Sequence, residues 1–360
     1  MSRGRAIGRP HPCRGLSLTG FGVDIARERQ QCAQLALALD SKTMQVADLI
    51  LPVFAVIVTG WLAGALGYVG RDLADALIHF AYNVAMPALL IVTIAHEPAR
   101  SLFAWRFLLA FGGGSLVCFA LVFAALRAWG RQGLAGAAMQ GWAASMTNTG
   151  FVALPVLQAT YGVRAVLPAA IATVFVAVVM FPAAVLMQEL DPHVPGRSAF
   201  AAGKLARHVI LNPMVLSTLI GVVWAAAGVP MPGPVSAYLQ ILADALTACA
   251  LFAIGLGVSV EGLKANIGRS AALAIVKLGL MPLIVLGLST ALKLEPLYLI
   301  AAVVCAAVPT AKTVYILSGE YHCEEPTVAA TISLTTLCSI GTLIVWMYVL
   351  TKFFPLGVSG

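Results

Sequence analysis

Charged side chains are scarce in this sequence: they make up 10% of 360 residues, while hydrophobic ones make up 60%. Soluble domains carry about 25% and about 45–50% respectively. So few charges cannot cover a globule in water, and the chain reads as an integral membrane protein. Enzyme signatures are missing as well. There is no HExxH, GxSxG or P-loop, which excludes metalloprotease and serine-hydrolase chemistry and ATP-driven transport within this chain. The seven cysteines form no CxxC pair, so neither a disulfide framework nor a metal site follows. No cofactor is expected.

The formal charge of +7 resembles a nucleic-acid footprint, but seven of the 22 Lys and Arg lie in the first 43 residues. The others sit mostly in short loops beside apolar runs, where they set orientation. The expected partners are the lipid bilayer and a small solute, not nucleic acid, with a homodimer as the candidate assembly. Residues 1–43 combine Arg, Gly and Pro with a short amphipathic piece ending in LALALD. They lack the continuous apolar core and cleavage site of a signal peptide. They are expected to be disordered or, with Met44 as the true start, absent from the working protein.

From Met44 onward the chain divides into ten apolar spans, each near the roughly 20 residues that cross a hydrocarbon core. They are Val46–Tyr68, Leu73–Ile94, Leu102–Ala125, Ala137–Tyr161, Ala165–Met187, Val209–Ala227, Tyr238–Val260, Ala271–Leu292, Leu297–Leu317 and Val328–Leu350. The expected fold is an all-α membrane protein: a first five-helix repeat over 44–187, a cytoplasmic linker over 188–208 and a second repeat over 209–354. Lys and Arg in the short loops favour one side eight to four, which places Met44 and the C-terminus outside and the linker in the cytoplasm.

The two halves share landmarks at one spacing. Pro52, Gly60 and Gly67 each precede Pro213, Gly221 and Gly228 by 161 positions, and Tyr161 precedes Tyr321 by 160. An odd number of spans per half makes the halves antiparallel across the membrane, and inverted repeats of this kind mark transporters with a site at the repeat interface. Two matched stretches, Ala143–Gly162 and Ala302–Tyr321, carry helix-loosening residues in mid-span: Asn148, Thr149, Gly150 and Pro155 in one, Pro309, Thr310 and Lys312 in the other. A helix interrupted in lipid must find partners for its freed N–H and C=O groups, and half-helix N-termini suit an anion. Spans 4 and 9 are therefore expected to be interrupted helices that meet at a binding site. Pro168, Pro182 and Pro282 are expected only to kink their spans.

Several short runs together are similar to the auxin efflux carrier family, which includes plant auxin exporters and bacterial carriers associated with malonate or malate. They are TNTGFVALPVL at Thr147–Leu157 followed by Tyr161–Gly162, NVAMPALL at Asn83–Leu90, Asn212–Pro213, Pro309–Thr310 with Tyr315, and SLTTLCS at Ser333–Ser339. The resemblance covers Met44 to about Phe354. It implies a five-plus-five inverted repeat with two crossing interrupted helices, and alternating access in which one domain slides against another. By that analogy spans one, two, six and seven form the scaffold. The resemblance also implies a substrate-binding asparagine at Asn148. Plant members carry proline where this chain has Thr147, so the first break is expected to be held by hydrogen bonds of Thr147 and Asn148.

The substrate-binding candidates are Asn148, Thr149, Gly150, Pro309, Thr310, Lys312 and Tyr315. An amide suits a carboxylate, and a lysine within a span is costly enough to suggest function. Asp75 with His79, four apart on one helix face, and Asp244 with Lys277, a candidate ion pair, are the groups available for proton or ion coupling. Arg106 is expected to snorkel. The function expected from these residues is secondary transport or facilitation of a small organic anion, a mono- or dicarboxylate, in a bacterial inner membrane. A sodium-coupled symporter of the bile-acid type and a non-transporting carboxylate sensor are the alternatives.

Overall fold

A computed structural model describes residues 51–70, 72–96, 104–129, 132–191, 211–257 and 267–354. The extension 1–43 and most of the 188–208 linker lie outside the described residues. In chain order the helices are α1 (Leu51–Ala65), α2 (Asp72–Ala95), α3 (Trp105–Trp129), α4 (Leu134–Ser145), α5 (149–161), α6 (Val163–Glu189), α7 (Pro213–Ala227), α8 (Gly233–Leu256), α9 (Ile267–Ala291), α10 (Pro296–Ala307), α11 (Lys312–Glu320) and α12 (Glu325–Phe353).

Among the described residues there is no β-strand, and six helices are long and apolar enough to cross a membrane: α2, α3, α6, α8, α9 and α12. With 24 to 29 residues each, they exceed the roughly 20 that a bilayer core requires. The apolar helices α1, α7 and α10 are shorter. The 12 residues of α10 rise only about 18 Å, well under the ~30 Å hydrocarbon core, so α10 reaches partway.

Five described helices contain one widened turn, at Ala81–Ala85, Leu108–Gly113, Thr149–Ala153, Val176–Met180 and Val276–Leu280. All but Leu108–Gly113 end two residues before a proline: Pro87, Pro155, Pro182 and Pro282. Proline has no N–H to donate and its ring crowds the carbonyl four residues back. Letting the preceding turn expand to i→i+5 spacing relieves both conflicts without breaking the helix.

The core surrounds the two short helices that stop inside the molecule. Every residue of α10 from Leu299 to Ala307 is buried, as is every residue of α4 from Ala137 to Ser145. A helix apolar on all faces belongs in the centre of a bundle. Around this core the spaced glycines bring helices into contact. A Cβ on Gly60 of α1 would strike the Phe252 carbonyl of α8, one on Gly255 of α8 would strike the Ile57 carbonyl of α1, and one on Gly221 of α7 would press on Ile94 of α2. Gly67 and Gly228, which follow α1 and α7, take left-handed φ values of 69° and 64°, a conformation that ends a helix at little cost only for glycine.

Candidate functional site

Helix α4 stops at Ser145, and Met146 is extended (φ −80°, ψ 123°). Helix α10 stops at Ala307, and Val308 is extended (φ −70°, ψ 159°). The two links run antiparallel, with Thr147 opposite Thr310. The Asn148 N–H donates to the Pro309 carbonyl at 2.9 Å and the Ala311 N–H donates to the Met146 carbonyl at 3.1 Å. Backbone groups released by the breaks thus satisfy one another where lipid would offer them nothing.

Helices α5 and α11 begin immediately beyond this bridge, so two helix N-termini open at one place. A cavity of 130 Å³ lies there, smaller than the roughly 300–1,000 Å³ typical of drug-sized ligands. Asn148, Thr149 and Gly150 from one N-terminus and Lys312 and Thr313 from the other line it, with Thr147 and Ala311 between them. The opposite wall holds Tyr82 of α2 and Asn212 and Met214 at the start of α7. The Asn212 Oδ1 accepts from the Met214 N–H at 2.9 Å and caps α7, a role asparagine fills well ahead of a proline at N1. Tyr82 stacks on Phe151 with ring centroids 6.0 Å apart, and this fixes the apolar rim.

No Asp or Glu is among the lining residues, so the electrostatics of the cavity have one sign. Each helix N-terminus carries about half a positive charge. Lys312 is the first residue of α11 and has no hydrogen-bond or ion-pair partner among the described residues. Its amino group reaches towards Gly257, the C-cap of α8, where a helix end favours a cation and offsets the cost at the N-terminus of α11. The Asn148 side chain makes no capping bond to its own helix. The Thr147 hydroxyl is buried without a partner. A cation, an idle amide and an orphan hydroxyl on one cavity wall are chemically suited to a small anion with hydrogen-bonding oxygens.

A family model described as "Membrane transport protein" matches residues 45–347. The chain belongs to this auxin efflux carrier family. It is 30% identical over 307 residues to a protein named "Putative malonate transporter" from Rhizobium meliloti (strain 1021), covering 85% of this chain and 96% of that one. It is 24% identical over 310 residues to "Uncharacterized transporter YfdV" of Escherichia coli (strain K12), covering 85% and 98%. It is also 27% identical over 150 residues to "Auxin efflux carrier component 2" of Oryza sativa subsp. japonica, covering 40% and 24%. The chain is therefore a multi-pass membrane transport protein.

Not every residue singled out in this carrier's sequence lines the cavity. Thr310 is buried and its hydroxyl donates to the Ala143 carbonyl at 2.7 Å, while its N–H donates to Thr335 Oγ1 at 3.2 Å. It therefore secures α4 to α10 and is not open to a solute. Pro309 contributes its carbonyl to the bridge, and Tyr315, one turn along α11, is 48% exposed; neither lines the cavity. Of the hydrogen bonds of Thr147 and Asn148 expected to hold the first break, the Asn148 backbone N–H supplies one, to the Pro309 carbonyl, while the Thr147 hydroxyl is idle.

The expected Asp244–Lys277 ion pair does not form. Asp244 is exposed and accepts from Gln240 at 2.6 Å. Lys277 is fully buried and donates to the carbonyls of Ala306 and Val308 at 2.6 and 2.7 Å. Asp75 and His79 are exposed on α2, share no hydrogen bond, and do not line the cavity. Arg106 stacks over Trp105 at 5.4 Å at the start of α3. Tyr82 and the Asn212 amide complete the wall although neither is a candidate from sequence alone. Their signal is position: Tyr82 precedes the motif residue Asn83, and Asn212 opens the Asn212–Pro213 motif itself.

Proposed function

We propose that this carrier is a secondary transporter or facilitator of small organic anions, mono- or dicarboxylates such as malonate, in a bacterial inner membrane. The observation that carries this is the cavity between the N-termini of α5 and α11, which holds Asn148, Lys312 and no acidic side chain. The name of the Rhizobium relative supports a dicarboxylate. In this reading Asn148 and the first N–H groups of α5 hold one carboxylate and Lys312 offsets its charge.

The same reading has ten spans in a five-plus-five inverted repeat, with α4–α5 and α10–α11 as the two interrupted, crossing spans. The equivalent placement of Gly60 with Gly221 and of Gly67 with Gly228 supports it. The helices α1, α2, α7 and α8 pack through Gly60, Gly255 and Gly221, as a scaffold would. The cavity takes one wall from α2 and α7 and the other from the two breaks, which suits alternating access of the elevator type at that seam.

The test is flux of malonate, malate and succinate in proteoliposomes of the purified chain. Saturable uptake of one of them, abolished in Asn148→Ala and Lys312→Ala, is expected. Uptake unchanged in both variants would overturn this assignment of the site.

A further inference from the structure

The two lysines beside the bridge are placed differently. Lys312 is exposed, opens α11 and sends its amino group towards Gly257 at the end of α8, but Lys277 is fully buried against the C-terminus of α10. Its amino group is on the last turn and the extended link of α10, 2.6 Å from the Ala306 carbonyl and 2.7 Å from that of Val308. Both lengths are at the short end for N–H···O, where charged donors lie. A helix C-terminus carries about half a negative charge, and carbonyls at the ends of broken helices are the groups that coordinate a coupling cation in many transporters. Here the pair is occupied by a tethered group. The side chain reaches it from the widened turn Val276–Leu280 of α9 with no exposed surface. The first break is built differently: there Cys118 of α3 sends only a thiol towards the Ala144 carbonyl, at 3.7 Å.

We propose that Lys277 is the built-in cation of the second break, held on the carbonyls where a free sodium ion would otherwise sit, so that the carrier works without sodium. This rests on the transport reading above and deepens it. Lys277 is a positioning residue, since it touches the backbone of α10 and the bridge rather than the cavity. Cys118 and Cys305 are the titratable groups near enough to interact with it, and neither supplies a fixed charge that could replace it.

The experiment compares wild type, Lys277→Ala, Lys277→Met and Lys277→Gln in sodium, methylammonium and choline chlorides, by thermal unfolding and by malonate flux. Wild type should unfold at one temperature and transport at one rate in all three salts. Lys277→Ala, which empties the carbonyl pair, should lose about 5 °C or more of Tm, and sodium or methylammonium but not choline should restore part of it and of the flux. Lys277→Met, which fills the space without charge, should show the loss with no recovery. A sodium requirement in wild type, wild-type behaviour of Lys277→Met, or a Lys277→Ala protein indifferent to every small cation would each overturn the proposal. If Lys277→Ala does not fold, Lys277→Gln decides, because it keeps two N–H donors without charge: wild-type stability there would also overturn it. The unfolding measurements need no substrate, so an absence of malonate flux in wild type would count against the transport reading alone.

Discussion

Thr147 and Thr310 stand opposite one another across the antiparallel bridge, yet their hydroxyls are used in opposite ways. Thr310 is bonded to the Ala143 carbonyl, whereas the Thr147 hydroxyl is buried beside the cavity with no partner. A pair matched in chemistry and placement is thus split between holding the fold and facing a guest. Replacing each with valine separates the roles. Thr310→Val orphans a buried carbonyl and should cost about 1–3 kcal/mol of stability with little change in anion affinity. Thr147→Val removes an unsatisfied group and should raise Tm while weakening anion binding. Thermal unfolding with and without malonate distinguishes the two outcomes.

Lys312→Met removes the cation from the cavity wall and should abolish anion-dependent stabilisation. Its charge stands between the N-terminus of α11 and the C-terminal end of α8, opposing effects of similar size, so Tm without ligand should change little. An unshifted Tm without ligand, together with loss of the malonate-induced shift, is the expected pattern in a thermal titration.

Asn148→Asp retains the shape of the side chain and its rank as an N-cap, with a negative charge that suits the N-terminus of α5. It also sets a carboxylate where the guest's carboxylate would lie, and like charges at contact exclude each other. The variant should fold normally and show no saturable malonate uptake near neutral pH.

Gly255→Val forces a side chain into the Ile57 carbonyl of α1, a backbone atom that cannot rotate aside. Overpacking of this kind costs about 1–3 kcal/mol or more, and the yield of folded protein in detergent should fall accordingly. Gly287→Ala, also within a helix but with nothing within 4 Å of the added carbon, should be neutral or slightly stabilising.

The apolar all-helical composition, and the places where α4 and α10 end, are legible along the chain because composition and proline placement act locally. The fate of individual polar side chains is not. Whether Thr310 faces the cavity or Ala143, and whether Lys277 meets Asp244 or two carbonyls, depends on the rotation of helices that are distant in sequence. Tyr82 escaped notice for a similar reason: an aromatic residue in an apolar span carries no periodic signal that tells a cavity wall from a lipid face. Four of the five widened turns carry a local signal, a proline two residues on, whereas Leu108–Gly113 carries none.

The bridge has a mechanical corollary. Asn148 hangs from Pro309 and Ala311 from Met146, so moving one break without the other costs two hydrogen bonds in surroundings that offer no substitute. The two halves of the polypeptide, far apart along the chain, hold one solid jaw in common. An anion held there as proposed would move with both breaks together, and the wall that α2 and α7 provide would be the surface it leaves.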